Sequence, residues 1–122
     1  MTGAQVFERA MTLAGIDGMR RNGLGDAARR RAGALVNDIY ADLFAIEHPD
    51  RVFEPLADMN TPLRLSARSC CHVMPYGILM LLCSADDTVG NGAQYTDLYN
   101  RRRSAVAPVG TVRRDVLPRG LL

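Results

Sequence analysis

Seventeen consecutive uncharged residues, Ser69 to Ala85, constrain this chain more than any other feature. Between Val73 and Cys83 the Tyr76 hydroxyl is the one strongly polar side-chain group. A helix that is apolar on every side must be enclosed by other elements. The run therefore predicts the centre of a small helical domain. Its length reaches the low edge of a membrane span. Pro75, Gly77 and His72 make it a poor one, and burial inside protein is expected. No signal peptide is expected either, because the chain opens directly on a polar helix pattern.

The flanking segments supply the enclosure. Val6, Ala10 and Leu13, with Phe7 and Ala14, recur at helical spacing and predict a first helix over 3–14. Thr2 and Gln5 stand at capping-box spacing, and Gly15 is a natural stop. Four glycines and two arginines over 15–25 predict a loop. Gly23, Gly25 and Ala28 have the spacing of a dinucleotide fingerprint, but no strand precedes them, so the match carries no weight. A second helix should run from an Asp26 cap to Glu47. Ala28, Ala32, Leu35, Val36, Ile39, Leu43 and Ile46 form its buried stripe, widened by Tyr40 and Phe44.

Pro49, Pro55 and Pro62 exclude a long helix over 48–65 and predict an extended loop or short β-arm. Leu63 and Leu65 alternate with Arg64 as in a brief strand. Ser66 can cap a third helix that Pro75 either kinks or restarts. Asp86 and Asp87 end it. A fourth helix follows, capped by Asn91, with Tyr95, Leu98 and Tyr99 as its packing face. Arg101, Arg102 and Arg103 fall in its last turn, where cations suit the helix dipole.

These elements predict an all-α fold for a chain of 122 residues, long enough for one modest core. A small four-helix bundle is expected over 1–104 and an extended arm over 105–122. In that arm Pro108 and Pro118 bar a helix, yet Val106, Val109, Val112, Val116 and Leu117 make it too apolar for a solvating linker. Together with Arg113, Arg114, Arg119, Leu121 and Leu122 they are the candidate partner-binding residues.

Charge distribution points the same way. All fifteen basic residues are arginine, as a GC-rich coding bias produces. Residues 1–60 carry seven arginines against nine acids, net −2, whereas residues 101–122 carry six against one, net +5. A basic tail on a near-neutral body suggests a segment that meets an acidic partner. Arg29, Arg30 and Arg31 lie in the first turns of the second helix, where the dipole disfavours cations. They and Arg101 to Arg103 are candidate protomer or partner contacts.

No catalytic constellation stands out, and no cofactor or metal is expected. Cys70, Cys71 and His72 are adjacent, and adjacent side chains on a helix diverge by about 100°, too far to share one tetrahedral ion. Three cysteines make no disulfide framework. They read as buried free thiols of a reducing compartment.

From Met74-Pro75-Tyr76-Gly77-Ile78 through Asp86-Asp87 to Ala93-Gln94-Tyr95 and Leu98-Tyr99, the chain resembles the head–tail adaptor (connector) proteins of tailed bacteriophages. The first helix from Ala4, the long second helix, and Leu63 to Ser66 ahead of the Pro-Tyr-Gly helix stand in family order. The likeness covers about residues 3–103 and rests on order and spacing rather than on any single motif. Arg20-Arg21 and the vicinal Cys70-Cys71 depart from the pattern.

The resemblance implies a helical-bundle subunit of a ring, usually dodecameric, under the portal in the virion neck. Such a ring extends the DNA channel without reading base sequence and receives a stopper or tail-completion protein. It implies an arm docking on the portal, here Val106 to Leu122, with no catalytic residue and no membrane. Two other readings remain open from the residues. One is a small helical nucleic-acid-binding regulator using the two arginine triplets, which the net charge of +2 argues against. The other is a thiol or metal enzyme at Cys70, Cys71 and His72, which lacks catalytic spacing.

Overall fold

The structure, a computed structural model, describes residues 1–15, 30–85 and 92–109. Five helical segments account for most of them: α1 (Gly3–Ala14), α2 (Ala32–Glu47), α3 (Ala67–His72), α4 (Met74–Ala85) and α5 (Gly92–Arg103). The fold is all-α. No strand forms among the described residues, and α3 and α4 are the two halves of the broken third helix.

Local chemistry sets α1. The Thr2 hydroxyl accepts from the Gln5 N–H at 3.1 Å, and Gln5 Oε1 accepts from the Thr2 N–H at 2.9 Å. Each orphan donor is thereby satisfied. Gly15 closes the helix with φ 69°, a left-handed value that costs glycine nothing. The buried face differs from the expected one in one respect. Val6, Phe7, Ala10 and Met11 are buried, whereas Leu13 is 44% exposed. At 100° per residue Leu13 falls on the rim of the stripe that those four define.

α2 buries Leu35, Val36, Ile39, Tyr40, Leu43 and Phe44 as its spacing predicts. Its described start is Ala32, with Arg31 as N-cap and no side-chain capping bond. The expected Asp26 cap, Ala28 and the 16–25 part of the expected glycine-rich loop lie outside the described residues.

The connection from 48 to 66 is no free arm. Its backbone joins the N-terminus through a bridge between Thr2 and Pro62, with the Ala4 N–H donating to the Met59 carbonyl and the Leu63 N–H to the Met1 carbonyl, both at 2.8 Å. It is also tied down by α2 side chains. Asn37 donates to the Leu56 carbonyl at 3.2 Å and accepts its N–H at 2.7 Å. The Tyr40 hydroxyl accepts from the Arg64 N–H at 3.1 Å. Phe53 packs edge-on against Tyr40 and Phe44, with centroids 5.1 and 5.6 Å apart. Three prolines rule out a continuous helix, and these contacts supply the order that a hydrogen-bonded ladder would have given.

Ser66 caps α3 by accepting from the Ser69 N–H at 3.2 Å. The helix then breaks at Val73, because Pro75 has no N–H to give the carbonyl four residues back and its ring collides with that carbonyl. The freed Cys71 carbonyl accepts from Arg9 Nε at 2.9 Å instead. The His72 carbonyl accepts from Arg102 Nη1 at 3.2 Å. Guanidinium groups from α1 and α5 therefore satisfy the break.

α4 is central, packing against α1, α2 and α5. Met74, Pro75, Ile78, Leu79 and Leu82 are all but fully buried. Tyr76, Met80 and Leu81 are half-buried, so one flank reaches the surface. On α5 Tyr99 is buried and Tyr95 and Leu98 are half-buried, close to the packing face expected. Asp86, Asp87 and the expected Asn91 cap lie outside the described residues. Among the described residues, no helix is long and apolar enough to cross a membrane.

Candidate functional site

Consecutive residues on α5 diverge by about 100°, so Arg101, Arg102 and Arg103 do three different things. Arg101 pairs with Asp97 one turn earlier at 2.9 Å, on a solvent-exposed face. Arg102 lies over the Tyr76 ring, 4.6 Å from its centroid, in addition to its bond to His72. Arg103 turns inward to Asp42 on α2, with Nε and Nη2 bonds of 2.6 and 2.9 Å. The Tyr99 hydroxyl donates to the same carboxylate at 2.5 Å. Hydrogen bonds from Arg103 hold Asp42 below the usual carboxylate range, against the opposing effect of burial, and the Tyr99 bond adds to this. Burial first, then the bond to Asp42, raises the Tyr99 phenol far above its ordinary value. Arg103 is therefore a bolt between helices, not an outward contact.

A second carboxylate organises the C-terminal end of α2. Glu47 is 2% exposed. Its oxygens accept from the Ser66 N–H at 2.8 Å, from the Ser66 hydroxyl at 2.8 Å, and from the Ser69 hydroxyl. Its main-chain carbonyl accepts from the Val109 N–H at 3.0 Å. One residue thus joins α2, the start of α3 and the segment that follows α5. Along the chain Glu47 is marked only as the expected last residue of the second helix. The available signal was its register, eight residues beyond Ile39 and four beyond Leu43 on the buried stripe.

Between α3 and the end of α5 lies a groove. One recess, about 760 Å³, is lined by Ala67, Arg68, Cys71, His72, Val73, Arg101, Arg102 and Ala105. A second, about 390 Å³, shares Arg68, Val73, Arg102 and Ala105 with it and continues along Val106 to Val109 and Glu47. The chain after α5 forms its wall. Val106, expected among the partner-binding residues of the arm, is half-buried and packs on the core of its own chain. Val109 is 55% exposed beyond its bond to Glu47. Val112, Arg113, Arg114, Val116, Leu117, Arg119, Leu121 and Leu122 lie outside the described residues.

The other arginine triplet is only partly described. Arg30 and Arg31 are exposed at the entrance to α2, and Arg29 lies outside the described residues.

The cysteines are not equivalent. Cys70 is fully buried, and desolvation pushes its thiol up to about 11. Cys71 is only half-buried, which corrects the expectation that all three thiols are enclosed. His72 is exposed while Cys70 is buried, so the Cys-Cys-His run spreads over different faces. Among the described residues, no group of His, Cys, Asp and Glu side chains could hold a metal ion.

Comparison with protein-family models, with curated proteins and with solved structures finds no match for this chain.

Proposed function

We propose that this chain is a structural, non-enzymatic subunit of a tailed-phage head–tail connector. In this reading it forms a ring under the portal in the virion neck and joins the head to a stopper or tail-completion protein. Double-stranded DNA passes through without sequence recognition. The reading rests on the family-like order of the Pro-Tyr-Gly helix and the elements around it. The observation that carries it further is the seating of the C-terminal segment. Val106 packs on the core and Val109 is held by Glu47, so the residues beyond Val109 start from a fixed point beside a basic groove. A tail launched from a fixed point loses less conformational freedom on docking than one that begins at a free end. Its apolar and arginine side chains suit a larger partner with an acidic surface.

The test is co-expression with the portal protein of the same gene cluster, followed by electron microscopy of the purified assembly. A ring of this chain on the portal is expected, lost when residues 110–122 are deleted while the helical fold is kept. The chain alone should be monomeric at micromolar concentration. A gene cluster without a portal, or a chain that never joins the portal, overturns the reading.

A further inference from the structure

We propose that the groove between α3 and the end of α5 is a binding site for an acidic, partly apolar peptide segment of a partner protein. The proposal concerns the groove alone and does not depend on the connector reading.

The groove is lined by Arg68 from α3 and by Arg101 and Arg102 from the end of α5. Arg102 is pre-set by the Tyr76 ring and the His72 carbonyl. Among the described residues, Arg68 has no ionic partner. The acid that lines the groove, Glu47, is 2% exposed and spends its carboxylate on Ser66 and Ser69. Several main-chain carbonyls around the groove already accept hydrogen bonds. Those of Asn100, Arg101, Arg102 and Arg103 accept from Ser104, Ala105 and Val106, and that of Cys71 accepts from Arg9. Arg101 is paired with Asp97 at 2.9 Å, so Arg68 and Arg102 are the groove guanidinium groups without a carboxylate partner among the described residues.

Planar guanidinium groups suit carboxylates, which they grip with paired hydrogen bonds. Val73, Ala105 and Val106 give the floor an apolar character that a peptide side chain would fill. Each of the two recesses, about 390 and 760 Å³, is of ligand size. Nucleic-acid backbones are instead gripped by many cations following a line of phosphates, which a recess with three arginines does not provide. A copy of this chain's own tail is a poor occupant, because residues 110–122 carry three arginines against one aspartate.

The test uses the full chain and a fluorescein-labelled synthetic peptide alternating leucine with aspartate and glutamate, read by fluorescence polarisation. The acidic peptide should bind, and its neutral asparagine and glutamine counterpart should not. Arg68→Glu should weaken binding at least about tenfold, since it turns half of the clamp against the ligand. Arg51→Glu, an exposed change outside the groove, should leave it unchanged. Arg68 is exposed and its side chain makes no described hydrogen bond, so this variant should keep the wild-type far-UV spectrum. Equal binding of the neutral peptide, an Arg68→Glu variant that binds as well as wild type, or no binding at all overturns the proposal. So does a short DNA duplex that binds more tightly than the peptide and is lost in Arg68→Glu.

Discussion

Arg103 holds Asp42 through two nitrogen atoms across 61 residues of chain, Nε at 2.6 Å and Nη2 at 2.9 Å. This contact and the Tyr99 hydroxyl on the same carboxylate fasten the end of α5 to the middle of α2. The two charged side chains are 41% and 35% exposed, so solvent screening limits the gain to about 1 kcal/mol. Asp42 is held below its ordinary value of 3.8, so the folded state favours its charged form. The stability it contributes is present above that value and is lost as pH falls through the lower folded-state value. Asp42→Asn keeps an acceptor for Tyr99 and removes the charge. Urea denaturation should find it less stable than wild type at about pH 7, with the difference narrowing as pH falls below 3.8. A difference that stays constant on acidification would show that Asp42 acts through shape alone.

Gly77 lets α4 meet two helices at once. A Cβ there would sit 2.7 Å from Tyr99 Cε1 and 2.8 Å from Ile39 Cδ1. Alanine favours a helix over glycine by about 1 kcal/mol. Overpacking at this crossing costs about 1–3 kcal/mol, so Gly77→Ala should be destabilised by up to about 2 kcal/mol in total. A higher melting temperature in the variant would contradict the crossing.

Leu82 is 1% exposed in the middle of the core. Leu82→Ala should cost about 2–5 kcal/mol through lost transfer energy and the cavity left behind. Leu13→Ala, at a site 44% exposed, should stay within about 0.5 kcal/mol of wild type. Equal midpoint shifts for the two variants would show that α4 is not central.

Glu47→Gln replaces an acceptor by an amide whose NH2 must face either the Ser66 N–H or the two serine hydroxyls, all of which donate to Glu47. Leaving buried partners mismatched should cost about 1–3 kcal/mol. The change should also loosen the segment around Val109, whose N–H is held by the Glu47 carbonyl. Hydrogen exchange at Ser69 and Val109 should quicken in the variant.

Alkylation should separate the cysteines. The thiolate is the reactive form, and desolvation holds the Cys70 thiol at about 11. Iodoacetamide should label the half-buried Cys71 in the native protein and reach Cys70 only on unfolding. Peptide mass mapping that finds Cys70 labelled first would mean that the core opens more easily than its packing implies.

Features that depend on neighbours within one or two turns were written in the sequence. The capping box of Thr2 and Gln5, the Gly15 stop, the Ser66 cap and the break ahead of Pro75 all arise from contacts within about four residues, where residue type determines geometry. The all-apolar run told that α4 would be central, because no other placement removes every one of its sides from water.

The tertiary structure decided the rest. Which side of α1 faced inward, Met11 rather than Leu13, depended on where α2 and α4 came to lie. The loop over 48–66 looked free because its anchors, Asn37, Tyr40 and Phe44, are on another element. Nothing along the chain linked Glu47 to Ser66 and Ser69, or Asp42 to Tyr99 and Arg103. The three consecutive arginines of α5 carried one composition and three roles, separated by helix rotation. Pattern along a chain records which faces want burial, but the pairing of distant polar groups exists only once packing has brought them together.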